Sequence, residues 1–140
     1  MSILTMGTFD IPHIGHQLFL RKAERYVANQ LDLIIGVNSD DFVAEFKERP
    51  PLYRAEERMA AIRSLGYSNV VLNDGPGYQL VHDYMPRAII VGSDWLGRDY
   101  LQQIGMTQEQ MREWKVDIIF VPYSDIVSTT DIKRRVRNEI

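Results

Sequence analysis

Residues 7–16 read GTFDIPHIGH, and two of the chain's three histidines fall inside this stretch. The apolar run Ile3–Met6 leads into it, Pro12 stiffens the turn, and a helix is expected to begin near His16. Histidines at positions i and i+3 of a helix entrance point the same way. Beside the free N–H groups and positive end of the helix, the imidazoles of His13 and His16 would donate to an anion. A transferring phosphate suits that arrangement, because its developing charge is stabilised by fixed donors. Gly7, with no Cβ, lets backbone approach whatever binds there. The ordinary alternative is that one histidine caps the helix and the other packs.

Three further stretches carry usable groups. In IVGSDW, residues 90–95, Gly92 ends an apolar run, Asp94 offers an acceptor and Trp95 a flat apolar face. A carboxylate accepts from an exocyclic amine, and cytosine and adenine both carry one. The alternative is Asp94 as a helix cap and Trp95 as core. VSTTD, residues 127–131, reads as a helix N-cap, which is compatible with phosphate binding at Ser128, Thr129 and Thr130. Lys47 and Arg49 sit in the irregular stretch KERPPLY. A mobile basic loop there would close over a triphosphate and exclude water; otherwise the two are solvated surface charges.

The elements that must position these groups are legible. A chain of 140 residues with 45% hydrophobic content suits one domain spanning 1–140. A net charge of −3 argues against a general nucleic-acid surface. There is no cysteine, which excludes disulfides and thiolate metal sites. The start lacks a signal-peptide pattern and no segment has the apolar length of a membrane span, so a cytoplasmic protein is expected. Apolar runs of strand length occur at Ile3–Met6, Leu31–Val37, Val70–Leu72, Ala88–Val91 and Ile118–Val121. Such continuous runs suit strands buried on both faces. Between them lie helical spacings: Leu18, Ala23 and Val27; Met59, Ile62 and Leu65; Leu80, Val81 and Tyr84; and Ile132 with Val136. Thr107–Gln110 has the form of a capping box. The alternation predicts a single Rossmann-like, doubly wound α/β domain with a five-stranded, mostly parallel sheet. Ligands bind such sheets outside the carboxyl ends of the strands, and every motif above falls at one.

Taken together, these blocks resemble the HxGH nucleotidyltransferase superfamily, and within it the glycerol-3-phosphate cytidylyltransferase-like proteins. GTFDIPHIGH resembles the signature, RAEERMAAIRSLGYSNVV at 54–71 the arginine-containing helix and strand, IVGSDW the strand-end G-x-D-W, and PYSDIVSTT the final loop. The resemblance implies transfer of CMP from CTP to a small phosphorylated or phosphonylated alcohol, with release of pyrophosphate. His13, His16 and Lys47 would be catalytic, with both histidines on the triphosphate. Gly7, Thr8, Phe9, Asp10, Gly92, Asp94, Ser128, Thr129 and Thr130 would bind nucleotide. Arg49, Arg58, Arg63, Trp95 and Tyr123 would face substrate. Mg²⁺ is the expected cofactor, with Asp10 as its ligand, because hard oxygen donors and triphosphate both suit it. The resemblance also implies a homodimer.

The sequence departs from the family pattern in three places. The family helix ends Arg-Tyr-Val-Asp, whereas this chain has Gly66-Tyr-Ser-Asn69, and the arginine opening the final loop is Tyr123. Arg63, one turn before Gly66, is expected to supply a guanidinium instead. Residues 99–115 add roughly a short helix near the substrate end, which would reshape the acceptor pocket or make an oligomer contact. The alternatives are an adenylyltransferase acting on a sugar phosphate or cofactor precursor, a non-catalytic nucleotide-binding relative, and a purely structural protein.

Overall fold

A computed structural model describes residues 1–10, 14–122 and 129–139, apart from the side chains at 129–131 and 139. Its centre is a five-stranded sheet in the order β3-β2-β1-β4-β5. The strands are β1 (Ile3–Gly7), β2 (Leu33–Asn38), β3 (Val70–Asn73), β4 (Ala88–Gly92) and β5 (Asp117–Val121). All the pairings are parallel, so the sheet is parallel throughout rather than mostly so. Its five strands match the five apolar runs within two residues at either end. The second run starts late because Leu31 is spent in a 3-10 turn, Gln30–Asp32, capped by the Asn29 side chain.

Successive side chains along a strand point to opposite faces, and both faces are covered here. Ile3, Leu33, Ile35, Val37, Ala88 and Ile90 share one core with Phe19 and Leu20 of α1 (Ile14–Glu24) and Ile62 of α3 (Ala55–Ser64). Leu4, Ile34, Ile89 and Val91 share the other with α4 (Tyr78–Tyr84), α5 (Tyr100–Ile104) and α6 (Gln108–Glu113). The added segment 99–115 is therefore two short helices rather than one, and it covers a sheet face. Thr107 does form the expected capping box with Gln110 at the start of α6.

One helix goes unanticipated in the sequence. α2 (Asp40–Lys47) starts at Ser39, whose hydroxyl accepts from the Phe42 N–H at 3.2 Å. Of its residues only Val43 is buried, and its apolar residues Phe42, Val43 and Phe46 make a stripe little more than one turn long. Lys47 thus ends a helix instead of lying in an irregular loop. The last helix, α7, spans Thr129–Glu139.

Candidate active site

The strand order reverses between β1 and β4, and there the sheet opens. Their backbone pairing runs over Ile3↔Ala88 and Leu4↔Ile89, after which the Thr5 hydroxyl continues the tie by donating to the Ile90 carbonyl at 2.9 Å. Beyond this point lies a cleft of about 580 Å³, lined by the carboxyl-end residues of β1, β2 and β4 and by Asn73 of β3. Ligands of open α/β sheets bind at such a switch point.

The β1 exit is shaped by close packing. A Cβ on Gly7 would meet the Phe9 ring at 3.0 Å, so the glycine serves an internal approach. Phe9 takes a left-handed backbone, φ 52°, and sets its ring against His16 with centroids 5.3 Å apart. His16, in the first turn of α1, is 8% exposed and lines the cleft. The ends of three strands are stitched in series. Asn73 Nδ2 donates to Asn38 Oδ1 at 2.9 Å, and Asn38 Nδ2 donates to the Thr8 hydroxyl at 3.3 Å.

Asp10 fastens a loop and a helix to this exit. Its Oδ1 accepts from the Tyr53 N–H at 2.9 Å. Its Oδ2 accepts from the Leu52 N–H at 2.9 Å and from Lys133 Nζ, on α7, at 2.8 Å. Burial pushes the Asp10 carboxyl up, but the bonds from Leu52, Lys133 and Tyr53 outweigh it and hold the group below the ordinary carboxylate range. Hydrogen-bond donors and an ammonium thus surround this carboxylate. That set does not fit a divalent cation, and the expectation of Asp10 as metal ligand is corrected accordingly. Among the described residues no cluster of acidic or histidine side chains is placed to hold a metal ion.

Arg58 is fully buried and its guanidinium is spent inside the protein. It donates to the carbonyls of Tyr53 at 2.9 Å, Thr8 at 2.7 Å and Asn38 at 2.8 Å, and to Asp40 Oδ1 at 2.7 Å. A group so engaged does not face substrate, so Arg58 is a brace behind the cleft. Arg63 is also corrected. Its guanidinium donates to the carbonyl of Val70, at the amino end of β3 and thus the opposite edge of the sheet. The Gly66 carbonyl accepts from Gln30 on that same edge, so its departure from the family pattern does not touch the cleft.

Ten of the expected residues line the cleft together: Gly7, Thr8, Phe9, Asp10, His16, Lys47, Arg49, Gly92, Asp94 and Trp95. His13, Tyr123 and Ser128 lie outside the described residues; Thr129 and Thr130 open α7, and their side chains are not described. Lys47 is exposed as a residue, yet partial burial at the cleft lowers its ammonium pKa, opposed by Asp10 and helped by Lys133, Arg49 and Arg58. On the β4 side, a 3-10 turn at Ser93–Trp95 sets the Trp95 ring edge-on to Tyr100 with centroids 5.3 Å apart. Burial raises the Tyr100 hydroxyl pKa.

Sequence reasoning missed Lys133, Arg98, Tyr100 and Gln103, all of which line the cleft. Lys133 carried a usable signal: it falls four residues after Thr129, on the same helical face.

A parallel, doubly wound sheet with a cation-lined cleft at its switch point defines a Rossmann-like nucleotide-binding protein. The chain belongs to the Cytidylyltransferase-like family, a family of nucleotidyltransferases, and the match spans residues 4–135. It is 28% identical to the glycerol-3-phosphate cytidylyltransferase of Bacillus spizizenii over 138 residues, covering 95% of each chain. It is 30% identical to the FAD synthase of Pyrococcus abyssi, over 97% of this chain and 92% of the relative. Among solved structures, a lipopolysaccharide core biosynthesis protein from Thermoplasma volcanium superposes with a TM-score of 0.63. That likeness, at 20% identity over 89% of this chain and 98% of that one, shows the fold.

Proposed function

We propose that this protein transfers CMP from CTP, bound as its Mg²⁺ complex, to a small phosphorylated or phosphonylated alcohol and releases pyrophosphate. One observation carries the reading. His16 of α1, Lys47 of α2 and Lys133 of α7 converge on a single cleft at the sheet's switch point. An oxygen of the acceptor phosphate attacks the α-phosphorus, and the bond from that phosphorus to the α,β-bridging oxygen breaks. Pyrophosphate leaves with the electron pair, so no protein nucleophile is needed. His13 and His16 donate to the α-phosphate oxygens as charge gathers there. Lys47, Arg49 and Lys133 offset the charge of the departing pyrophosphate, and the N-terminal turn of α7 with Ser128, Thr129 and Thr130 receives it. Asp94 accepts from the exocyclic amine of the base, and Trp95 gives it an apolar wall.

A second reading, adenylyl transfer, is supported by the 30% identity to an FAD synthase and by the fact that Asp94 suits either base. Pyrophosphate release is measured with CTP or ATP against a panel of phosphate monoesters, phosphonates and a flavin phosphate. Turnover with CTP supports the first reading and strict use of ATP replaces it with the second. Nucleotide binding without turnover across the panel favours a non-catalytic relative. The proposal extends to a homodimer, tested by sedimentation, and to a cytoplasmic location, tested by cell fractionation.

A further inference from the structure

In-line displacement places the attacking oxygen on the side of the α-phosphorus opposite the leaving pyrophosphate. Acceptor and pyrophosphate are both anionic, so the cations that serve them belong on different walls of the cleft. One wall is the cluster of Lys47, Arg49 and Lys133, close enough that Lys133 and Arg49 act electrostatically on Lys47. The other leads from β4 into α5, and among the described residues it holds a single cation, Arg98.

Arg98 has the features of a waiting anion site. Its guanidinium stands 5.8 Å from the centre of the Trp95 ring, and that ring rests on Tyr100, which is 8% exposed and anchored in the core. Stacking of this kind holds a planar guanidinium without consuming its donors. Among the described residues no carboxylate lies within ion-pair reach of Arg98. Arg98 differs in this from Arg58 and Lys133, each of which has a carboxylate partner, Asp40 and Asp10 respectively. Asp99, its neighbour in sequence, is turned to capping α5, where it accepts from the Gln102 N–H at 3.1 Å. Gln103, one turn along α5, brings a neutral donor and acceptor to the same wall.

We infer that Arg98 recognises the anionic phosphate or phosphonate of the acceptor, and that the added segment carrying Gln103 sets which acceptor is taken. This rests on the nucleotidyl-transfer reading. It is tested by calorimetry and by pyrophosphate release with wild type, Arg98→Ala and Arg98→Lys. Calorimetric titrations into protein saturated with α,β-methylene-CTP use glycerol 3-phosphate, ribose 5-phosphate and 2-hydroxyethylphosphonate, with glycerol as the uncharged control. In Arg98→Ala the KM or Kd of the monoester should rise about tenfold or more, while the KM of CTP stays within about twofold. Arg98→Lys should fall between, since it keeps the charge and loses the fork. Equal shifts for CTP and acceptor, no shift, or no preference for the monoester over glycerol would overturn the inference. Failure of every anionic probe to bind wild type would do so as well. Binding that depends on Arg98 without pyrophosphate release would instead overturn the transfer reading and leave this one standing.

Discussion

Behind the ends of β1 and β2 the cleft rests on hydrogen bonds. Arg58 alone ties the Thr8, Asn38 and Tyr53 carbonyls to Asp40, and Asp10 holds the Leu52–Tyr53 backbone and Lys133. Beyond β4 the wall is built from rings: Trp95 on Tyr100, with Arg98 above. Directional bonds to charged groups fix atoms in place, and losing one partner leaves the others buried and unsatisfied. Apolar contacts tolerate exchange of one shape for another. The first half therefore suits chemistry that must not vary, and the second suits a pocket whose occupant can change between relatives.

The largest effect should fall on the hydrogen-bonded half. His16→Ala is expected to lower kcat by about 100- to 1000-fold, the cost of removing one preorganised donor to developing charge. Circular dichroism should show a folded protein, because His16 lies at the cleft wall, packed edge-on against Phe9, rather than at the centre of either core. Loss of less than about tenfold in kcat would move the chemistry elsewhere in the cleft. Arg58→Ala comes next, and its effect should appear in stability. The change leaves three carbonyls and Asp40 without their partner. Urea unfolding should lose about 3 kcal/mol, and lysine should not restore it, lacking the planar fork.

The same contrast explains what could be read from the sequence. The three central strands were legible because each is largely buried, which turns it into an unbroken apolar run, and the outer strands β3 and β5 keep short apolar runs although Leu72 and Phe120 are exposed. The cleft was legible where one segment carries several of its groups, as in residues 7–16 and 90–95. α2 was hidden because its apolar residues Phe42, Val43 and Phe46 fill little more than one turn, too short a run for a helical period to stand out. The jobs of Arg58, Asp10 and Arg63 were hidden for a different reason. Arg58 meets Thr8 across 50 residues, and Asp10 meets Lys133 across 123. Residue type at one position says that a charge exists, whereas the partner that consumes it is fixed only when the sheet brings distant ends together. Arg98 was hidden in the opposite way, since its interest lies in having no carboxylate partner among the described residues.

A smaller effect, and one with a pH signature, should come from Asp10→Asn. The native carboxyl titrates below its ordinary value of 3.8, so its contribution is complete above that range. It is lost as pH falls through the lower native value. At neutral pH the variant should be less stable by about 1–2 kcal/mol, the scale of bonds to a charged acceptor. Between pH 5 and pH 3 the wild type should lose more stability than the variant, and the two unfolding curves should converge. Parallel curves would mean that Asp10 carries no charge-dependent share of the latch.

The smallest effect expected is at Arg63, and it sharpens the contrast by lying outside both halves. Its guanidinium donates to the Val70 carbonyl at 3.1 Å, where β3 begins, while the cleft opens where β3 ends. Arg63→Ala should therefore leave kcat and both KM values within about twofold of wild type. The lost bond should lower stability by about 0.5–1.5 kcal/mol, since the freed carbonyl lies at an edge that water can reach. A tenfold rise in acceptor KM, about 1.4 kcal/mol of lost binding, would place a substrate group at the amino end of the sheet. The division of the cleft into a braced half and a ring-built half would then omit a third contact, and Arg98 would no longer be the lone cation proposed for the acceptor among the described residues.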